Sequence, residues 1–183
     1  MSTYISLLRG INVSGQKKIL MANLKVLYEQ LNFKNVQTYI QSGNVVFDFD
    51  EKNSNQEIAQ LIEDAITEHY GFNVPILIRN SVELQNTINK NPFVMEAESN
   101  PAQVLVTLLS ASPKEDNLRK LVGVNFPPDR FAIHDLDIYI HCPQGYGNSK
   151  LSNNFFETKL KIQATTRNWK TINKLLEMAD CIK

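Results

Sequence analysis

Two parts of the chain combine glycine with cationic and amide side chains, the residue types that bind small anions. The first part is Arg9–Lys18 together with the turn Gln41–Asn44. Glycine lets backbone N–H groups turn toward an anion, and lysine and arginine supply positive charge. A phosphate site is therefore a hypothesis for this part, with the candidate residues Arg9, Gly10, Asn12, Lys17, Ser42, Gly43 and Asn44.

The second part is Pro143–Lys150, which follows a predicted strand and precedes a predicted helix. Backbone N–H groups at the start of a helix attract anions, and the Lys150 ammonium would strengthen that attraction. A later Arg-Asn pair and Lys170 would extend this part into a second cationic, amide-rich cluster. Its candidate ligand-binding residues are Gly145, Gly147, Lys150, Arg167 and Asn168.

Both parts also have a purely structural interpretation, which the sequence leaves open. Gly10 and Gly43 suit tight turns, and Thr166 or Asn168 suits the N-cap of the last helix. The glycine spacing ahead of Lys17 is not that of a Walker loop, which argues against nucleotide hydrolysis of that type. The second part has two glycines in a G-x-G pattern but lacks the third glycine of a dinucleotide-binding loop.

Nucleophilic and metal chemistry have little support in the sequence. His141 and Cys142 are adjacent on a predicted strand, where successive side chains point to opposite faces, so the imidazole is poorly placed to activate the thiol. We therefore expect Cys142 to be a buried structural cysteine. The three histidines, His69, His134 and His141, lack the spacing of zinc ligands. No metal is predicted, and no catalytic residue or cofactor is assigned.

The elements that position these residues begin with a strand ending at Leu8 and an amphipathic helix from about Met21 to Leu31. Two β-rich runs flank the turn Gln41–Asn44, and a helix follows that opens at Ser54 or Asn55 and closes near Gly71. The strand Val74–Ile78 contains Pro75, which cannot donate to a ladder, so we predict an edge strand. This βαββαβ order is that of a ferredoxin-like fold.

The pattern restarts after a short helix from Ser81 to about Lys90 and a polar boundary at Glu96–Pro101. A strand, a helix opened by a capping box at Ser112–Glu115, a hairpin and two further helices are predicted. The fold class is therefore α+β, with two tandem ferredoxin-like βαββα subdomains and antiparallel sheets. The predicted domains are residues 1–92, including the linking helix, and residues 93–183.

In a βαββαβ unit the loop after the first strand and the first hairpin lie at the same edge of the sheet. We therefore predict that Arg9–Lys18 and Gln41–Asn44 share one rim. The proposal of an anion site in the first part depends on this arrangement.

Composition narrows the range of partners. The 183 residues include 19 Lys plus Arg and 19 Asp plus Glu, and this neutrality disfavours binding along duplex nucleic acid. We expect no membrane association, because no segment approaches the roughly 20 apolar residues of a membrane span. Two cysteines without a CxxC pair and no secretory signal at the N-terminus predict the reducing cytosol.

The chain resembles a bacterial family known only as domain of unknown function 1697. The resemblance rests on four segments, Leu8-Arg9-Gly10-Ile11-Asn12-Val13, Gln41-Ser42-Gly43-Asn44, Gly145-x-Gly147-x-Ser149-Lys150-Leu151 and Arg167-Asn168-Trp169-x-Thr171. The family usually has a glycine where this chain has Ser14. The resemblance implies two ferredoxin-like subdomains and no established activity, substrate or catalytic residue.

Three functional hypotheses follow. The first is binding of a small phosphate-bearing or nucleotide-like anion, with or without catalysis. The second is a protein interaction or oligomerisation module that uses an exposed sheet edge such as Val74–Ile78. The third is single-stranded RNA binding through aromatic side chains on a sheet, for which Tyr4, Tyr39, Phe47 and Tyr139 are candidates, although the aromatic RNP pattern is missing. The sequence does not determine the oligomeric state.

Overall fold

The N-terminal part forms a four-stranded antiparallel sheet with two helices on one face. A computed structural model describes residues 1–50 and 53–182. The elements are β1 (Ser2–Leu8), α1 (Met21–Gln30), β2 (Lys34–Tyr39), β3 (Asn44–Phe49), α2 (Asn55–Tyr70) and β4 (Ile76–Asn80). The strand order is β2-β3-β1-β4, which places the loops after β1 and β2 at one edge of the sheet.

Aromatic rings pack together within the largely aliphatic core of this sheet. Phe33 stacks on Phe47 with ring centroids 4.3 Å apart, and Tyr28 meets Phe47 edge to face at 5.5 Å. Tyr4, which pairs with Phe47 across β1 and β3, presents its ring on the same face. Alternation along the strands therefore directs one set of side chains against α1 and α2, as the period-two pattern requires.

Helix α2 begins and ends at the predicted residues. The Ser54 hydroxyl accepts a hydrogen bond from the Glu57 N–H, and the Glu57 carboxylate accepts one from the Ser54 N–H, which completes a capping box. Gly71 ends the helix in the left-handed conformation with φ 75°.

The C-terminal part forms a second four-stranded antiparallel sheet, in the order β6-β7-β5-β8. Its strands repeat the arrangement of the first sheet, so the predicted α+β class with two ferredoxin-like antiparallel sheets is confirmed. The remaining elements are α3 (Ser81–Asn89), α4 (Val94–Ser99), β5 (Val104–Leu109), α5 (Glu115–Leu118), β6 (Arg130–His134), β7 (Asp137–His141), α6 (Asn153–Leu160), β8 (Ala164–Asn168) and α7 (Trp169–Cys181).

Three local predictions differ from the structure. The stretch Glu96–Pro101, expected as a polar boundary, lies largely in α4. The expected capping box at Ser112–Glu115 is wrong, because α5 has Lys114 at its N-cap and no side-chain cap. The sequence analysis did not predict β8, whose threonines and arginine pair with β5. The edge-strand prediction for Val74–Ile78 holds in part: β4 is an edge strand, but it begins at Ile76, after Pro75.

Contacts divide the chain into two compact units, which we call the N-terminal unit (Met1–Gln85 with Lys174–Lys183) and the C-terminal unit (Asn86–Asn173). The division into folding domains at residues 92 and 93 stays a prediction. Across residues 1–50 and 53–182, none of the helices has the length and apolar character needed to cross a membrane.

Candidate functional site

The loop after β1 and the first hairpin lie at one rim of the N-terminal unit, as the sequence predicted. The Leu8 N–H donates to the Gly43 carbonyl at 2.8 Å, and the Arg9 N–H donates to the Pro75 carbonyl at 2.9 Å. We call residues 9–20 and 40–44 the rim. The geometric prediction that these two segments share an edge is therefore confirmed.

Asn12 holds the rim together through its side-chain amide. Its Nδ2 donates to the Ile19 carbonyl at 2.9 Å and to the Gln41 carbonyl at 2.8 Å. Its Oδ1 accepts the Ile19 N–H at 3.0 Å. Both amide hydrogens and the oxygen of Asn12 are thus used inside the protein, and they connect the two segments of the rim.

The other candidates of the hairpin also have structural roles. A Cβ atom on Gly43 would lie 2.7 Å from both Leu8 Cβ and Ile11 Cδ1, so glycine is required by close packing as well as by its φ of 77°. The Asn44 amide is fully buried and donates to the Tyr39 carbonyl at 2.9 Å and to the Ser42 hydroxyl at 3.1 Å. These bonds close the hairpin from within.

Left-handed backbone is concentrated in the first segment of the rim, where Gly10, Asn12, Ser14, Gly15 and Lys17 all have positive φ. The Lys17 ammonium donates to the Asn73 carbonyl at 2.6 Å, which ties the loop to the segment that follows α2. The Arg9 side chain is half-buried. The side-chain donors of Asn12, Lys17 and Asn44 therefore bind the protein itself, which favours a structural role for these three candidates.

The second candidate cluster borders an open cavity in the C-terminal unit. The cavity has a volume of about 340 Å³. It brings Gly145 and Lys150 together with a turn from the segment that precedes β6. The lining residues are Asn125, Phe126, Pro127, Pro128, Asp129, Gln144, Gly145, Asn148 and Lys150. We call this space the Lys150 cavity.

Two backbone amides of the predicted helix-start site, those of Gly145 and Phe155, already bond within the protein. The Gly145 N–H donates to the Cys142 carbonyl at 3.0 Å, and the start of α6 is capped by the Ser152 hydroxyl, which accepts from the Phe155 N–H. The Lys150 ammonium lies 5.5 Å from the centre of the Phe126 ring, a cation–π arrangement. The sequence predicted an anion site made of backbone N–H groups at a helix start. The residues that line the cavity instead offer the Lys150 ammonium and the side-chain amides of Asn125, Gln144 and Asn148.

Arg167 and Asn168 are not among the residues that line this cavity. Asn168 caps α7, because its Oδ1 accepts the Thr171 N–H at 2.8 Å. Arg167 pairs with Val106 on β5, so its side chain lies on the sheet face opposite Leu105. Its guanidinium donates to the Thr165 hydroxyl at 2.8 Å, and burial lowers its pKa to about 10. Gly147 lies within a 3-10 turn, Tyr146–Asn148, and does not line the cavity.

Cys142 is buried, which confirms the prediction of a structural cysteine. Burial raises the pKa of its thiol, the Ser149 hydroxyl opposes that rise, and the Asp129 carboxylate adds to it. A thiol held in the protonated form is a poor nucleophile. Within residues 1–50 and 53–182, His, Cys, Asp and Glu side chains form no group of three that could hold a metal ion.

Comparison with known proteins identifies the family. Residues 1–139 match the family described as "Protein of unknown function (DUF1697)". The chain belongs to the DUF1697 family. The match extends over β1 to the middle of β7, so it includes the rim and one side of the Lys150 cavity, while Gly145, Lys150 and Arg167 lie beyond it.

A solved structure supports the fold of this DUF1697 chain. A conserved bacterial protein, SP0830 from Streptococcus pneumoniae, matches 97% of this chain and 98% of its own with a TM-score of 0.75 and 21% sequence identity. At this identity the likeness establishes the shared fold. Among functionally curated proteins, none matches this chain.

Sequence reasoning on this DUF1697 chain missed two groups that line the cavity, Phe126 and Asp129. They flank Pro127-Pro128, and the Asp129 N–H closes the turn by donating to the Phe126 carbonyl at 2.9 Å. An aromatic residue and a carboxylate on either side of two prolines is a signal for a rigid turn that presents side chains. That signal was available in the sequence, but nothing in it related the turn to Gly145 and Lys150.

Proposed function

We propose that the protein binds a small phosphate-bearing or nucleotide-like molecule in the Lys150 cavity. The observation that carries the proposal is that one cavity joins the predicted Gly145 and Lys150 to an aromatic ring and a carboxylate on a proline-rich turn. The turn at residues 125–129, which the sequence analysis did not select, thus borders the same space as the predicted Gly145 and Lys150.

The size of the cavity favours a compact ligand. Its 340 Å³ lies at the lower end of the range of about 300 to 1,000 Å³ that is typical of small-molecule sites. A sugar phosphate or a nucleoside monophosphate has suitable dimensions, whereas a dinucleotide cofactor is too large. A compact ligand also agrees with the neutral net charge, because extended polyanions require a basic surface.

The polar groups of the cavity suit a ligand that carries both a phosphate and hydrogen-bond donors. The Lys150 ammonium would bind a phosphate, and the amides of Gln144, Asn148 and Asn125 would donate to its other oxygens. The Asp129 carboxylate repels a bare anion but accepts hydrogen bonds from hydroxyl or amino groups. A molecule that carries both a phosphate and hydroxyl or amino groups therefore fits better than inorganic phosphate.

Phe126 supports a ring-bearing ligand. Its ring meets Phe155 edge to face with centroids 5.6 Å apart, which fixes the orientation of the face near Lys150. A base or sugar face could stack there, since aromatic stacking is worth about 1 to 3 kcal/mol per base in nucleic-acid binding. The free thiols of Cys142 and Cys181 are consistent with a cytosolic location, which we propose on that basis.

Calorimetric titration with nucleoside monophosphates and sugar phosphates tests this function. We expect at least one of them to bind with a Kd in the micromolar to millimolar range, and Lys150→Ala to weaken that binding by about tenfold or more. Phe126→Leu keeps the wall apolar and should weaken only ring-bearing ligands.

Lys114→Ala is the matched control, because Lys114 is an exposed lysine of the same unit that does not line the cavity. This variant should bind as the unmodified protein does. Equal losses in both lysine variants, or the failure of every phosphate-bearing compound to bind, would contradict the proposal.

A further inference from the structure

Three exposed apolar residues of the rim are next in sequence to Asn12 or to one of its two bonding partners. Asn12 bonds to Ile19 and Gln41, and the residues next to these three positions are Val13, Leu20 and Ile40. Their side chains are 59%, 68% and 48% exposed. Large apolar residues that are brought together on a surface indicate a binding surface, whereas scattered ones do not.

The backbone holds Ile40 in an unfavourable conformation. Its φ is 50°, in the left-handed region, where a β-branched residue is an outlier. Hydrogen bonds on both sides of Ile40 hold its backbone in this conformation. Asn44 donates to the Tyr39 carbonyl, and Asn12 donates to the Gln41 carbonyl. Strain that keeps an apolar side chain exposed is more often found at functional sites than elsewhere.

The charge of the rim is of one sign. Residues 9–20 and 40–44 include Arg9, Lys17 and Lys18 and contain no Asp or Glu. Lys18 is exposed, and it lies between the bonded Lys17 and the buried Ile19. A partner surface that fits the rim therefore has an apolar centre with acidic residues beside it.

The exposed face of α2 has this composition. Glu57, Leu61, Asp64 and Glu68 recur at helical spacing on the face opposite the buried Ile58, Ile62 and Ile66. Leu61 is 38% exposed between acidic residues on both sides. The helix, residues 55–70, contains no Lys or Arg.

We propose that the rim docks against the exposed face of α2 in a second copy of this chain. The end of α2 lies near the rim of its own copy, since Lys17 bonds to Asn73 just after Gly71. A twofold axis would therefore pair each rim with the other copy's helix, as isologous dimers do. This proposal uses the N-terminal unit and does not depend on ligand binding at the Lys150 cavity.

A reciprocal charge exchange tests the pairing. Sedimentation velocity on the full chain at micromolar concentrations should show a monomer–dimer equilibrium that weakens as salt is added. Lys18→Glu and Glu68→Lys should each weaken the dimer by about tenfold, because each places like charges across the interface. The variant with both changes should recover most of the affinity.

Lys114→Glu is the matched control, since it makes the same charge change on an exposed lysine of the C-terminal unit. It should leave the dimer unchanged. Ile40→Asn distinguishes an effect on association from an effect on folding. Asparagine tolerates the left-handed region better than isoleucine, so the melting temperature should stay the same or rise. The dimer should nevertheless weaken, because an exposed apolar side chain is lost.

The outcomes are decisive in both directions. Recovery in the double variant, with an unchanged control, supports the rim–α2 contact. A monomer throughout the concentration series overturns the proposal. A dimer that none of the rim and α2 changes affects also overturns it, because association then uses another surface.

Discussion

At the scale of single residues, Asn12 shows why the amide-rich rim was a reasonable candidate for anion binding. Its side chain can donate two hydrogen bonds and accept one or two, which suits a ligand and a loop equally well. In the structure the amide serves the loop, because it binds Ile19 and Gln41. Sequence cannot separate these uses, since they depend on which acceptor lies within reach.

Ser14 gives a prediction about backbone strain. Its φ of 50° costs a non-glycine residue roughly 1 to 2 kcal/mol, while glycine adds an entropic cost of about 0.5 to 1 kcal/mol in the unfolded chain. We expect Ser14→Gly to raise the free energy of unfolding by up to about 1 kcal/mol, which chemical denaturation would measure. The DUF1697 resemblance, with glycine usual at this position, agrees in direction.

Ser112→Gly provides the comparison for this prediction. Ser112 is also an exposed loop serine, but its φ is not positive. There the substitution adds only unfolded-state entropy, so the stability should fall slightly. A loss of stability at both positions would show that the left-handed conformation of Ser14 carries no strain.

At the scale of elements, the edge strand β4 is protected by a side chain of α2. The Glu63 carboxylate accepts the Ile76 N–H at 2.7 Å, so this N–H is not available to a strand from another chain. The edge strand is therefore a weaker candidate for self-association than the rim. We therefore retain the oligomerisation hypothesis, but we propose the rim and the exposed face of α2 as the interface instead of the β4 edge.

Glu63 also predicts a dependence of stability on pH. Burial raises its pKa above 4.5, the Ile76 hydrogen bond opposes the rise, and Asp64 adds to it. The folded state then binds more protons than the unfolded chain from pH 4.5 upward, so Glu63 makes stability fall as pH rises through that window. Glu63→Gln keeps a carbonyl oxygen for Ile76 and removes the titration.

Urea unfolding from about pH 4 to about pH 7 would test this effect. The stability of Glu63→Gln relative to the unmodified protein should increase with pH and then level off. Thr67→Ala, an exposed change on the same helix that removes no carboxylate, should give a difference that does not vary with pH. A flat difference for Glu63→Gln across this range would exclude a role for the buried carboxylate.

The elements that sequence predicted well have strong local signals, and the missed ones depend on distant contacts. Helix α2 has its capping box and terminal glycine in the sequence itself. Strand β8 contains Thr165, Thr166 and Arg167, and it is a strand because it pairs with β5, whose partner residues lie 55 to 63 positions earlier in the chain. The cavity was missed for the same reason, since Asp129 and Lys150 meet only through the tertiary fold.

At the scale of the whole molecule, the two units repeat one another in a detail that sequence inspection overlooked. The last strand of each unit ends in Arg-Asn, at Arg79-Asn80 and at Arg167-Asn168, and a helix follows at once. Both arginines are buried, and both asparagines accept an N–H three residues later at 2.8 Å. The dipeptide is too short to identify as a repeat until β4 and β8 are placed in equivalent positions.

The C-terminal residues 174–183 allow a test of where the boundary between the two folding units lies. Residues 174–183 belong by their contacts to the N-terminal unit, and they include the buried Leu175 and Ala179. Burial of one leucine side chain contributes about 1.5 to 3 kcal/mol, so a chain that ends at Asn173 should lose at least this much stability in the N-terminal unit. Hydrogen exchange of the β1–β4 amides would measure the loss.

The same experiment distinguishes this division from the one predicted at residues 92 and 93. If residues 1–92 form a folding domain, the chain that ends at Asn173 should retain full protection of its β1–β4 amides, and the isolated fragment 1–92 should retain most of it. If the contacts define the domain, both should lose protection, because both lack the segment that carries Leu175. A chain shortened only after Cys181 keeps both buried residues and should behave as the unmodified protein in either case.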